Sequence, residues 1–359
     1  MTRRFLTYFF ILLLPFAAAL VPARASAAAD QPYAKIATHA IAVHVLPSLK
    51  AFSAATKAQA GALHALAWAP TPASLTAARS AYQAASDAWQ AVQHLRRGPA
   101  ETDFRHQRIQ FWPDKRGHVR KQLAVLLAGK DKSEITPAVL SKASVAVQGF
   151  PALERLLYGE APPKGFALKL AAAIGDNMAA IAIALETDWR DPAKGFGKLL
   201  ATPGPTNPLF GDAKAIAGFL STDLAAGMKA LDELKLRRVV GRDGAAQIKR
   251  AENWRSDRSL ANIRINLETF AALFQALVHD ADLDKHDRAR AKFVADQFAQ
   301  IISEARALGP SFTKAVAAER GIVRLRGLAA GVEDLYELMG GFLAEVLKLS
   351  MGFNSLDGD

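Results

Sequence analysis

The stretch from Ser74 to Arg96 reads SLTAARSAYQAASDAWQAVQHLR and decides the fold class. Its apolar residues recur in steps of three and four, at Leu75, Ala78, Tyr82, Ala85, Trp89 and Val92. This spacing places them on one face of an α-helix, because an α-helix has about 3.6 residues per turn. The pattern predicts a helix that contributes one face to the core of a helical bundle.

The rest of the chain has the same character. Alanine, leucine and long charged residues dominate, and alternation with period two is almost absent. We therefore predict an all-α protein. The predicted helices cover about 33–68 with an interruption near Pro47, 74–96, 117–129, 137–147, 151–158, 164–189, 212–236, 259–279, 287–308, a helix after Pro310, and 332–349.

Each half of the chain has enough long helices for a four-helix-bundle-like domain. Four prolines and several glycines interrupt segment 190–211, which favours a domain boundary or a crossover loop there. We predict a signal peptide at 1–27, a first bundle at 28–200 and a second bundle at 201–359, with exchange of helices between the bundles left open. Trp112 and Arg116 recur as Trp254 and Arg258, which suggests duplication.

The N-terminus has the features of a cleavable export signal. Arg3 and Arg4 precede an apolar run from Phe5 to Leu20, and small residues follow, with cleavage expected within residues 25–29. The chain has no cysteine, which excludes disulfides and thiolate metal ligands. We predict a periplasmic protein of the cell envelope, with no membrane span in the mature chain.

The formal net charge of +11 permits an anionic partner. The basic residues are spread through the chain, with no arginine-rich arm and no interleaving with aromatic residues. This distribution argues against a nucleic-acid partner. It leaves a small anionic ligand, a metal complex or envelope metal-uptake proteins as partners.

A short helix near the middle of the chain carries the first candidate site. Pro151 suits a helix start, Gly159 suits a left-handed helix end, and leucines between them form one apolar face. Glu154 lies at the margin of this face, next to Arg155, and needs a partner there. The sequence leaves two roles open for Glu154, a structural ion pair and ligand binding.

Two further polar clusters stand at predicted helix starts. In the first, Asp114 can cap a helix and Arg116 can reach a carboxylate or an anionic ligand, just after Trp112. In the second, Arg255 and Arg258 flank a capping segment beside Trp254, with Asn262 one turn later. Capping explains part of each cluster, and an anion site explains the arginines.

Several kinds of chemistry lack their sequence patterns. His39 and His44 are five residues apart and share no helix face well, and no His-Glu-x-x-His motif occurs. Asp280, Asp282 and Asp284 begin like a calcium loop, but Lys285 occupies the glycine position, so we interpret the stretch as a solvated loop. The chain has no Gly-x-Ser-x-Gly elbow or phosphate-binding loop, and we assign no catalytic residue.

Taken together, four segments resemble the imelysin-like family of exported bacterial proteins. They are the helix at 149–159, Phe-Trp-Pro-Asp-Lys-Arg at 111–116, Trp-Arg-Ser at 254–256, and the tail Gly-Phe-Asn-Ser-Leu-Asp-Gly-Asp at 352–359. The resemblance implies two four-helix-bundle-like domains with a site in the cleft between them. It also implies a connection with iron uptake, and its name-giving branch is classed as a metallopeptidase.

That branch is marked by a Gly-x-His-x-x-Glu motif, and this chain departs from it. Gly149 and Glu154 match the motif, but Pro151 stands where the histidine belongs. Proline offers no ligand atom, so the departure argues against peptidase activity. Glu154 remains the candidate metal residue, or else a partner of Arg116, Arg258 or a ligand.

We therefore expect a non-catalytic protein that binds a ligand or metal complex in an interdomain cleft. The cofactor is iron or another divalent metal, if there is one, and no organic cofactor is expected. The alternatives are a metal-dependent peptidase of the imelysin type and a structural envelope protein. The expected ligand-binding residues are Trp112, Asp114, Arg116, Glu154, Arg155, Trp254, Arg255, Arg258 and Asn262.

Overall fold

The computed structural model describes residues 31–129 and 135–349, and this part of the chain is helical without a strand. The predicted signal peptide and the C-terminal tail lie outside the described residues. The helices are α1 (Gln31–Ala40), α2 (Leu46–Trp68), α3 (Pro72–Gln90), α4 (Arg105–Ile109), α5 (His118–Ala128), α6 (Pro137–Lys142), α7 (Gly149–Leu157), α8 (Phe166–Arg190), α9 (Gly195–Ala201), α10 (Ala213–Ala230), α11 (Arg238–Val240), α12 (Ser259–His279), α13 (Lys285–Ala307), α14 (Phe312–Ala317) and α15 (Gly321–Glu345).

The predicted interruption near Pro47 is confirmed as a π-helical turn. Residues Ile41–Val45 form this turn, and α1 and α2 continue on either side of it with right-handed helical backbone. Pro47 lies in the first turn of α2, where its missing N–H leaves no bond unmade within α2. The first described segment, 31–68, is therefore one long helix that changes its hydrogen-bonding pattern once.

The C-terminal part of this long helix belongs to a first helical group. Helix α2 packs along α8 and α3, and α6 and α7 cover α8. The predicted stripe on α3 is buried as expected, with Ala78, Tyr82 and Ala85 fully buried and Leu75 half-buried. Thr71 caps α3 by accepting a hydrogen bond from the Ser74 amide.

The N-terminal part of the same helix belongs to a second helical group. Helix α1 packs against α10 and α12, which also contact each other, and α13 and α15 complete the group. Helix α12 additionally contacts α3, so the two groups share one continuous apolar core. Helices from both halves of the chain thus surround the junction of the two groups.

Most helices fall where the sequence predicts them, and α12 matches at both ends. The last helix differs, because α15 begins at Gly321 and its buried face includes Leu325 and Leu328. Segment 190–211 is also not a plain loop, since α9 lies within it.

Helix α8 begins the stretch Phe166–Ala201, which is long and apolar enough to cross a membrane by length and composition alone. However, 72% of its most apolar part is buried inside the protein. Burial of this kind is the property of a core helix, and α8 packs against α2 in that role.

Candidate functional site

A cavity of about 480 Å³ lies where segments of the first and second halves of the chain meet. One wall consists of residues between Gln110 and Val119 together with α7, and the other consists of α11 and the connection that precedes α12. Six of the nine predicted binding residues line it: Trp112, Asp114, Glu154, Arg155, Trp254 and Arg255.

Helix α7 reaches this position because its first residue is glycine. Gly149 has a φ of +68°, and a Cβ added there would lie 2.1 Å from the Ile109 carbonyl oxygen and 2.5 Å from the Arg108 carbonyl oxygen. No other residue fits so close an approach to the α4 backbone. Pro151 is the third residue of α7 and lines the cavity. The expected left-handed end at Gly159 is wrong, because Tyr158 ends the helix with φ −120°.

Glu154 is buried, with 4% of its surface exposed, and its partner is Ser256. Its Oε1 atom accepts a hydrogen bond from the Ser256 amide at 3.0 Å and another from the Ser256 hydroxyl at 2.7 Å. Burial raises the pKa of Glu154, and the two hydrogen bonds offset part of this rise. The expected contacts of Glu154 with Arg116 or Arg258 are absent from the hydrogen bonds and ion pairs of the described residues.

Asp114 and Arg116 play different parts from each other. Asp114 caps α5, since its two carboxylate oxygens accept from the His118 amide at 2.8 Å and the Val119 amide at 2.9 Å. Arg116 is exposed and does not line the cavity. The capping interpretation of this cluster is therefore confirmed for Asp114, and the cavity lies beside the cap.

Arg258 and Asn262 lie behind the cavity wall in a buried polar network. The Arg258 Nε donates to Asn262 Oδ1 at 2.7 Å, and the rest of its guanidinium contacts Gln83 and Asp87 on α3. Asn262 donates in turn to Glu252 at 2.7 Å. These two predicted residues join α12 to α3, and their polar groups already have partners within the protein.

The cavity carries a large excess of positive charge. Among the residues the structure describes, none of its cationic side chains has an ion-pair partner within 4.0 Å. These side chains are Lys115, Arg155, Arg238, Lys249, Arg250 and Arg255. The carboxylates that face them belong to Asp114, which caps α5, and to Glu154, which is bonded to Ser256. The six cations thus remain available to an anion.

The electrostatic effect of this crowding is visible in the arginines. Burial lowers the pKa of Arg155, and the neighbouring Arg255 lowers it further. Burial also lowers the pKa of Arg238, with Arg250 adding to the effect. The Nε atom of Arg238 is buried without a hydrogen-bond partner. Arg255 stacks over the Trp254 ring at 4.2 Å, which fixes its position at the cavity wall.

Sequence reasoning missed four of the six cations: Lys115, Arg238, Lys249 and Arg250. The signal available for Lys115, Lys249 and Arg250 was their position in the two connections that precede α5 and α12, whereas Arg238 lies on α11. Charge alone could not single them out, because basic residues occur throughout the chain.

A second polar network lies deeper, around Lys235. Its Nζ donates at 2.8 Å to each of Gln90, Glu252 and Asn266, and both charged groups of its pair with Glu252 are buried. A small chamber of about 40 Å³ adjoins it and shares Gln110 and Trp112 with the main cavity. The buried ion pair thus lies one residue layer beneath the cavity.

The donor set of the main cavity does not fit a bare metal ion. No histidine is among the described residues that line it, and the position that the family motif gives to histidine holds Pro151. Among the described lining residues, the side-chain oxygen donors are the two carboxylates and the amides of Gln110 and Asn253, and they are faced by six cations that repel a divalent ion. Groups of residues within the described ranges that could hold a metal occur elsewhere, at His39, His279 and Asp280 and at Asp284, His286 and Asp287.

The fold and this site define an all-α protein with a basic cavity at the junction of two helical groups. The imelysin family model matches residues 45–339, so the chain belongs to the imelysin family, as its sequence motifs indicate.

Solved structures support the fold assignment. An imelysin-like protein from Psychrobacter arcticum superposes with a TM-score of 0.77 at 18% identity, covering 90% of this chain and 98% of that one. A putative iron-regulated protein A precursor from Parabacteroides distasonis gives a TM-score of 0.67 at 14% identity, covering 91% and 97%.

A curated relative is more similar in sequence. Iron-regulated protein A of Synechococcus elongatus is 24% identical over 225 residues, which is 62% of this chain. The match spans 58% of the length of that relative.

Proposed function

We propose that this protein is an exported, non-catalytic member of the imelysin family that binds an anionic metal complex in the main cavity and serves iron or other metal acquisition. The observation that carries the proposal is a set of six cationic side chains around one cavity that have no ion-pair partner among the residues described by the structure. A chelated metal ion with a net negative charge satisfies them, whereas a bare cation is repelled.

The size and walls of the cavity suit such a ligand. A volume of about 480 Å³ lies within the usual range for small-molecule sites of about 300–1,000 Å³. Trp112 and Trp254 offer flat apolar surfaces, and the arginines offer paired N–H donors to carboxylates. In this arrangement Glu154 positions Ser256 and the cavity wall, and the arginines bind the ligand.

The names of two relatives support the connection with iron. The Synechococcus elongatus relative is called iron-regulated, and the Parabacteroides distasonis structure is named as a precursor of such a protein. A precursor name also agrees with the export signal expected at residues 1–27. The peptidase alternative gains no support from the donor set, because its metal would need ligands that this cavity lacks.

Isothermal titration calorimetry with ferric citrate, and with citrate alone, tests the proposal. Arg155→Gln and Arg255→Gln should each weaken ferric citrate binding by about tenfold or more, because a hydrogen bond to a charged group contributes about 1.5–3 kcal/mol. Arg264→Gln is the matched control, since Arg264 pairs with Glu268 on α12 and does not line the cavity.

Higher salt should weaken the same interaction, because the cations are partly solvent-exposed. Unchanged affinity in both cavity variants contradicts the cavity assignment. Equal affinity for citrate with and without iron contradicts the metal-complex assignment. Chelator-sensitive peptide cleavage by the purified protein contradicts the non-catalytic role.

A further inference from the structure

Two histidines and an aspartate meet at the end of the second helical group, away from the main cavity. His39 lies at the end of α1, His279 ends α12, and Asp280 follows it. The Nδ1 atom of His39 lies 3.4 Å from Asp280 Oδ2, and the Nδ1 atom of His279 lies 3.1 Å from Asp280 Oδ1. One carboxylate thus receives an imidazole nitrogen on each of its oxygens.

The two imidazole rings are stacked, with centroids 4.2 Å apart and planes inclined by 5°. Candidate ligand atoms of all three residues lie within 4.8 Å of one another. Because α1 and α12 pack together, tertiary structure creates this grouping from distant parts of the chain. No spacing rule applied to neighbouring residues could reveal it.

We propose that His39, His279 and Asp280 bind a divalent first-row metal ion of the Zn²⁺ class. Two imidazoles and one carboxylate are a common ligand set for such ions. Metal–ligand bonds of about 2.0–2.1 Å place neighbouring ligand atoms of a tetrahedral site about 3.3 Å apart. The Nδ1–Oδ distances of 3.4 Å and 3.1 Å are close to this edge, and because they end on different oxygens of Asp280, the carboxylate must turn so that one oxygen binds the metal.

One ring must move for the metal to bind. A metal between two parallel rings would lie outside both ring planes, whereas an imidazole lone pair points within its own plane. His279 can turn because its side chain is 64% exposed, while His39 is 25% exposed and held by its helix. The exposed side of His279 also leaves room for water at the remaining coordination positions.

Metal binding here would join α1 to the end of α12. The ion would therefore stabilise the folded state, because the three ligands come together only when the second helical group has formed. The site shares no residue with the lining of the main cavity, so it is independent of the anionic ligand proposed above.

Calorimetry with Zn²⁺, and visible absorption of Co²⁺ as a spectroscopic probe, test the site on untagged protein stripped of metal with EDTA. The wild-type protein should bind one equivalent of Zn²⁺ and show a Co²⁺ spectrum of nitrogen and oxygen coordination. His39→Gln and Asp280→Asn should each weaken Zn²⁺ binding at least tenfold and abolish the Zn²⁺-dependent rise in melting temperature.

His286→Gln is the matched control, because His286 is 81% exposed in the first turn of α13, close in sequence to Asp280, and lies 3.8 Å from Asp287. Its affinity for Zn²⁺ should equal that of the wild type. The proposal is overturned if the wild type binds no Zn²⁺, if His39→Gln binds it with unchanged affinity, or if His286→Gln weakens it equally. Loss of Zn²⁺ in Glu154→Gln with retention in His39→Gln would place the metal in the main cavity instead. Folding of every variant is checked by far-UV circular dichroism and by melting without metal.

Discussion

Ser256 holds the Glu154 carboxylate with two donors at once, its backbone amide at 3.0 Å and its hydroxyl at 2.7 Å. The two residues come from α7 and from the connection before α12, so this contact joins the two walls of the main cavity. The glutamate of the family motif is therefore bound to the protein itself, beside the cations that face the cavity.

Substitution of Glu154 should separate its hydrogen-bonding role from its charge. Glu154→Gln keeps an Oε1 acceptor for both Ser256 donors and should retain most of the free energy of unfolding. Glu154→Ala leaves two partly buried donors without an acceptor and should cost about 1–3 kcal/mol. Urea unfolding measures the free energy of unfolding of both variants. Equal values would show that the contact with Ser256 does not stabilise the folded state.

Gly149 should tolerate no side chain. Gly149→Ala places a Cβ against two carbonyl oxygens of α4 and should destabilise the protein by more than about 3 kcal/mol or prevent folding. Gly117→Ala is the matched control, because Gly117 has the same φ of +68° and no atom within 4 Å of an added Cβ. It should cost only about 1–2 kcal/mol for the left-handed backbone. Thermal unfolding measures the loss of stability in both variants. Equal losses of stability would contradict the steric explanation.

The buried pair of Lys235 and Glu252 should show strong coupling. Removing one partner leaves a buried charge without compensation, so Lys235→Met or Glu252→Gln alone should cost about 3–5 kcal/mol. The double variant should recover a large part of this loss, since no isolated charge remains. A double-mutant cycle from urea unfolding measures the coupling, and additive losses would contradict it.

Asp223 should make stability depend on pH. Burial raises its pKa to about 7, although Arg97 donates to its Oδ1 at 2.7 Å, and its Oδ2 is buried without a hydrogen-bond partner. Between the unfolded pKa of 3.8 and this value, the folded state keeps a proton that the unfolded state releases. The free energy of unfolding should therefore fall as pH rises through this interval, by up to about 1.4 kcal/mol per pH unit.

Asp223→Asn removes this proton equilibrium while keeping the shape of the side chain. The difference in unfolding free energy between wild type and variant should change between pH 4 and pH 7 and stay constant above that range. Denaturant unfolding at several pH values measures it. A constant difference throughout would mean that Asp223 titrates near its ordinary pKa.

The sequence predicts the helices well because their evidence is local. The stripe from Ala78 to Trp89 and the extent of α12 depend on the spacing of apolar residues, which is visible in the local sequence, and no side chain caps the N-terminus of α12. The beginning of α15 was missed because Gly321 and Gly327 lie in its first turns, and glycine has a low helix propensity.

The site was predictable only in part, because its contacts join distant segments. Six of nine expected residues line the cavity, since aromatic and charged residues at helix starts are visible in the sequence. The partner of Glu154 could not be predicted from the sequence, because Ser256 lies in a distant part of the chain. Several arginines were equally plausible partners for the carboxylate. Arg258 was expected to face a ligand, yet it lies buried against α3, where the packing of α12 places it.

The long helix made of α1, the π-helical turn and α2 limits how the protein can move. Two-lobed binding proteins often close by hinge rotation. Here a single long helix passes from one helical group into the other, and its π-helical turn packs against α12. Closure would have to bend this long helix and separate the core residues that pack around it. For the ligand proposed above, the cavity would therefore have its shape before binding, and selectivity would depend on complementarity of charge and shape.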